Sequence, residues 1–147
     1  MGTRAPAPWS LCHPSCPPRA RTARPSRDLR AAERFWVSGL GLEVLYRQEA
    51  DGTPGRHSLL MVGRPDATWH LELVHDPAVP VDPRPTPEDL LVVCPGEPLP
   101  GSLVERLGRQ ERKRVSARNP YGDPWGVTLQ DTDGYPLVLS TRAWSNP

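Results

Sequence analysis

Few of the chain's 147 residues that can do chemistry stand at a spacing that would let them act together. The clearest pair is His70 and Glu72 in the segment WHLELV (69–74). Side chains alternate between the faces of an extended strand, so His70, Glu72 and Val74 share one side while Trp69, Leu71 and Leu73 share the other. The apolar set belongs against a core. That leaves an imidazole and a carboxylate facing whatever space the sheet borders, with Cβ atoms roughly 6.5–7 Å apart. Such a pair can ligate a divalent metal, move a proton or hydrogen-bond a ligand. It can equally be a solvated polar pair on a strand, and the residue types alone leave all four uses open.

Other chemistry-bearing residues are less organised. Tyr121 and Trp125, in NPYGDPW (119–125), offer flat apolar area that suits an amphipathic ligand, and Trp125 equally suits packing on a sheet. Cys12, His13 and Cys16 match no usual zinc spacing and stand among prolines. Cys94 precedes Pro95 with no base close by in sequence, the setting of an inert thiol. His57 and His75 stand near strand ends and are expected to be solvated. Asp131 and Asp133, in DTDG, are explained by turn formation. Phe35 and Trp36 stand at core spacing on a helix.

Composition narrows the class. With no apolar run near the ~20 residues that span a bilayer, no membrane partner is expected. Residues 1–30 hold six arginines and one acid, whereas residues 31–147 are net −4. A mildly acidic body argues against tracking a nucleic-acid backbone. Three cysteines make no disulfide framework, which points to a reducing cytoplasm. Twenty prolines predict short elements and many connections rather than long helices.

Those elements fall into two runs of the same order. Residues 1–20 carry no periodicity and read as a disordered, Pro/Arg-rich extension. In the first run, a strand from 21 leads to a helix capped by Asp28 and running to Val37, with Gly39 and Gly41 as its stop. Strands follow at 42–48, 56–62 and 69–74. Five prolines between 77 and 87 mark a semi-rigid linker. The second run has a strand at 89–93, a helix near 98–107 stopped by Gly108, a short strand at 113–115, and strands at 125–130 and 135–141 joined by DTDG. A single βαβββ unit leaves one sheet face and one edge naked, and pairing two such units covers them. The predicted fold is therefore α+β: two paired βαβββ modules forming a curved mixed sheet around a cleft.

RDLRAAERFWVSGLGLEVLYR (27–47) resembles the opening of vicinal oxygen chelate proteins, the glyoxalase/bleomycin-resistance superfamily. WHLELV resembles the closing strand of its first module. NPYGDPWGVTLQDTDGYPLVL (119–139) resembles the closing hairpin of its second, marked by Asp-x-Asp-Gly-Tyr. The resemblance covers 21–144, with modules at 21–75 and 88–144.

It implies a cleft between sheets, a small organic ligand, and often completion by a homodimer. Metal-dependent members draw ligands from the first and last strands of each module. Here those positions fall near Arg21–Thr22, on Glu72, near Glu88–Asp89, and on Val138. Arginine and valine are not ligands, so no metal and no cofactor is expected. The function read from the chain is small-molecule binding in the cleft by His70, Glu72, Tyr121 and Trp125, with no catalytic residue assigned. Two alternatives stand beside it: a metal-dependent lyase, isomerase or dioxygenase using Glu72, His70 and Asp89, and a non-catalytic dimeric interaction module.

Overall fold

Asp28 starts the first helix by satisfying amides that have no partner inside it. Its backbone is extended, and its carboxylate accepts the N–H groups of Arg30 and Ala31 at 2.9 and 3.0 Å. In this computed structural model, which describes residues 19–95, 98–109, 115–116, 122–142 and 145, helix α1 (Leu29–Glu33) runs on into a π-helical turn, Arg34–Gly39. The expected helix thus extends two residues past Val37 and changes pitch. The wider turn, seen in the Leu40 N–H to Phe35 carbonyl bond at 2.9 Å, accompanies burial of two consecutive aromatics. Phe35 and Trp36 meet edge to face at 5.0 Å and are shut off from solvent. Gly41, at φ +87°, takes the left-handed conformation that releases the chain toward the next strand.

The first module places β1 (Ala20–Pro25), β2 (Glu43–Gln48), β3 (Ser58–Gly63) and β4 (Trp69–His75) in the order β1-β4-β3-β2. β1 runs parallel to β4, and the remaining pairs are antiparallel. Alternation assigns the faces as expected: Leu60, Val62, Leu71 and Leu73 are buried beneath α1 and its π turn, against Ala32, Phe35 and Trp36.

The second module repeats the scheme with β5 (Leu91–Val93), α2 (Gly101–Arg109), β6 (Gly126–Gln130) and β7 (Pro136–Ser140), in the order β5-β7-β6. β5 is parallel to β7 and β6 antiparallel to it. Gly108, expected to stop α2, lies inside it. A short helical turn, α3 (Gly122–Trp125), leads into β6. Residues 113 and 114 of the expected short strand lie outside the described residues. Val115 donates to the Thr128 carbonyl at 3.1 Å, which sets it beside β6 where β2 stands in the first module. The curved sheet is thus in two pieces, and one core spans both: Leu107 of α2 and Leu129, Leu137 and Leu139 of the second sheet join the cluster under α1.

The hairpin turn 131–135 fastens one module to the other. Asp131 accepts the amides of Asp133 and Tyr135, both at 2.9 Å, which shapes the turn. Asp133, 5% exposed, reaches across and accepts the backbone N–H of Arg27 at 2.9 Å. The Arg27 side chain donates to the Pro83 carbonyl at 3.1 Å and lies 3.6 Å from Asp82, so the Pro-rich connection is strapped to the same point. Arg24 lies over the Tyr135 ring at 4.4 Å and donates to the Asp89 carbonyl at 3.4 Å.

Two outcomes follow from this junction. Asp133→Ala strands a buried amide and should cost about 2–3 kcal/mol in urea unfolding, whereas Arg27→Ala keeps that amide bond and should cost about 1 kcal/mol or less. The Asp131 carboxyl is pushed above the usual carboxylate range by burial, offset in part by the amide bonds from Tyr135 and Asp133. The folded chain therefore holds this proton more tightly than the unfolded chain. Its contribution is full below the ordinary carboxylate range and is lost as pH rises through the raised native value. Asp131→Asn keeps an oxygen acceptor and removes the titration, so its melting temperature should gain on the wild type's between about pH 3 and about pH 7. A pH-independent difference would count against this.

Candidate functional site

The face of the first sheet turned away from α1 carries the polar residues singled out from sequence. In one row across the strands, Arg21 pairs with His70 and His70 with Gly63; in the next, Ala23 pairs with Glu72, and Met61 stands between Glu72 and Tyr46. His70 Nε2 lies 3.1 Å from Glu72 Oε1, and Arg21 Nη1 donates to that same oxygen at 3.3 Å. Glu72 is 8% exposed, so its charge is held by these two groups at the floor of the face. The Arg21 side chain, by contrast, is 70% exposed.

A β-bulge supplies the apolar part of the surface. The β2–β3 register shifts between Val44 and Tyr46, which inserts Leu45 as an extra residue. Leu45 leans over Gly63: a Cβ placed on Gly63 would lie 3.1 Å from Leu45 Cδ1 and 3.2 Å from His70 Cβ. Two consecutive residues, Leu45 and Tyr46, thereby reach the same side as His70, which period-two alternation did not foresee. They are 38% and 46% exposed. The glycine inside strand β3 was the available signal of this close approach. At the other end of the same face, Ala23, Pro25 and Val74 line a hollow of about 240 Å³ that Val81 of the connection borders.

The remaining candidates are dispersed. Tyr121 lies outside the described residues. Trp125 ends α3, half exposed, with the Arg142 guanidinium 6.0 Å from its ring, and no substantial packing among the described residues joins α3 to β4. Asp89 precedes β5 and turns its carboxylate onto Thr86, accepting the backbone N–H and the hydroxyl at 2.7 Å each. These bonds from Thr86 hold the Asp89 carboxyl below the usual range. His75 is not simply solvated as expected: its Nδ1 lies 3.1 Å from the Ser26 carbonyl. Cys94 is exposed.

The two modules can be compared strand for strand. Glu72 stands between the core residues Leu71 and Leu73 on β4, and Val138 stands between Leu137 and Leu139 on β7. Their neighbours on the parallel first strands are Ala23 and Val92. The expected positions Arg21–Thr22 and Glu88–Asp89 lie off this register, because Arg21 pairs with His70 and Asp89 comes before β5. Thr128 lies opposite Val138, with its hydroxyl buried and unpartnered among the described residues.

The profile of the YycE-like N-terminal domain matches residues 20–74, which is the first module. The YycE protein of Bacillus subtilis is 32% identical over 121 residues, covering 81% of this chain and 84% of that one. The chain belongs to the YycE-like family, within the vicinal oxygen chelate superfamily. The crystal structure of a YycE protein of unknown function from Bacillus subtilis, described as a candidate glyoxalase/fosfomycin resistance protein, superposes with a TM-score of 0.73 at 27% identity, covering 87% of this chain and 92% of that one. A glyoxalase/bleomycin resistance protein from Streptomyces sp. CB03234 superposes with a TM-score of 0.54 at 25% identity, covering 84% of this chain and 99% of that one.

For this YycE-like chain, the face around His70 depends on the missing side chain at Gly63. Gly63→Ala should press on His70 Cβ, which has no freedom to yield, and cost about 1 kcal/mol or more. Thermal unfolding reads the loss, and a histidine ring proton shift in NMR reads the displacement of His70. An unperturbed His70 resonance would show that the sheet relaxes elsewhere.

Proposed function

We propose that this chain binds a small organic molecule on the open face of its first sheet, through His70 and Glu72, without the divalent metal used by metal-dependent members of its superfamily. One observation carries the reading: a nearly buried carboxylate, fixed by an imidazole and a guanidinium, adjoins the exposed apolar surface of Leu45 and Tyr46 and the half-buried Met61. A few convergent polar groups beside apolar area are what small-molecule sites are made of. In this reading Tyr121 and Trp125 add apolar area from the second module, a second copy of the chain can complete the cleft, and the protein works in the cytoplasm.

The donors do not fit a divalent cation. Among the described residues no three His, Cys, Asp or Glu side chains gather. Glu72 shares its Oε1 with a guanidinium, a poor neighbour for a metal ion, and Val138 and Val92 offer no donor atom. Asp89, needed by a metal-dependent enzyme using His70 and Glu72, spends its carboxylate on Thr86. The relatives' names support a small-molecule reading, since they refer to fosfomycin and bleomycin resistance.

Calorimetric titration of the full chain, treated with a chelator, against a neutral amphipathic probe such as biphenyl-4-carboxamide tests this. Saturable binding is expected, weakened about tenfold by Glu72→Gln through loss of a charged acceptor. Binding that appears only after Mn²⁺, Ni²⁺ or Zn²⁺ is added would overturn the metal-free reading.

A further inference from the structure

Resting on that reading, we infer that Arg21 is a ligand-binding residue and that the ligand presents a carboxylate to its guanidinium. Arg21 brings a positive charge onto the open face from the first strand, one row away from Glu72.

The geometry favours a receptor over a simple counter-charge. A guanidinium that served only to neutralise Glu72 would gain most by meeting both carboxylate oxygens with two parallel N–H groups. Arg21 instead makes one contact, Nη1 to Oε1 at 3.3 Å, and among the described residues it makes no other hydrogen bond or ion pair. Five N–H donors are available on the planar group, and the side chain is 70% exposed. The contact with nearly buried Glu72 restrains the guanidinium on the open face, which lowers the cost of ordering it around a ligand.

On this face β1 contributes one charge, Arg21, since Arg24 lies on the other side over Tyr135, and the acid Glu43 stands at the far end of the row that runs through His70 and Gly63. Glu72 lies beneath the Arg21 side chain with Oε1 within reach of both Arg21 and His70, which leaves the other donors of the guanidinium facing outward. The planar fork matches the two oxygens of a carboxylate better than it matches an amine, which it repels, or a single carbonyl. On the same face, Met61 lies two strands away from β1, a distance of about 10 Å at the usual strand spacing. The ligand class is therefore a rod-like or flat apolar body about 10 Å long that ends in a carboxylate.

Three probes of one shape separate the charges: biphenyl-4-carboxylate, biphenyl-4-carboxamide and 4-phenylbenzylamine, titrated calorimetrically into the full chain. The carboxylate should bind about tenfold or more tighter than the carboxamide, as a charge-assisted pair implies, and the amine weakest. In Arg21→Gln the carboxylate-to-carboxamide ratio should collapse to about one, and Arg21→Lys, which keeps the charge and loses the fork, should fall between. Arg21→Gln should melt somewhat below the wild type, since it leaves the nearly buried Glu72 with His70 as its remaining partner, and a single cooperative transition shows that the variant is folded. A wild type that prefers the carboxamide or amine, or a carboxylate preference that survives in Arg21→Gln, overturns the inference and leaves the ligand-binding reading standing. Failure of all three probes to bind removes both.

Discussion

A single backbone amide, that of Arg27, lies where three segments of this chain must agree. It belongs to the joint between the first strand and its helix. Its acceptor is Asp133, in the closing hairpin of the other module, and its side chain holds the proline-rich connection between them. A carboxylate this buried is costly unless its lone pairs are used. The face that carries the candidate site begins on β1, which ends just before Arg27, so the positions of Arg21 and Ala23 relative to the second module are set from that joint.

The Asp-x-Asp-Gly-Tyr motif illustrates how far local reasoning reaches. Asp131 does what turn chemistry predicts, accepting amides within its own hairpin. Nothing in the four residues of the turn says that Asp133 looks the other way, toward a residue more than a hundred positions earlier. The same holds for Tyr135, whose ring lies under Arg24. Hairpin geometry is written in the sequence within the hairpin; the docking of one module on another is written in pairs that no window contains.

The candidate site was legible to a similar degree. Strand alternation placed His70 and Glu72 on the open side and Leu71 and Leu73 in the core, because a two-residue period leaves little freedom once one face is buried. The helix cap at Asp28 was legible for the same local reason. The bulge at Leu45 was not, since an extra residue reverses the alternation beyond it, and only the glycine on the neighbouring strand hinted at the crowding. Arginine has no metal-ligand chemistry to mark Arg21 in the sequence, and its contact with Glu72 depends on a parallel pairing across some fifty residues. Asp89 had the right chemistry for a ligand but stands before β5, where Thr86 captures it.

Among the described residues β2 is the outermost strand of its sheet, and Val44, Leu45 and Tyr46 are all exposed on it. An unpaired apolar border of this kind invites edge-to-edge stacking of one molecule on the next, the first step toward fibrils. The irregularity at Leu45 breaks the even ladder that such stacking requires, and Glu43 and Arg47 flank the apolar stretch with opposite charges. The same kink that gathers greasy area beside His70 thus also guards the chain against its own aggregation.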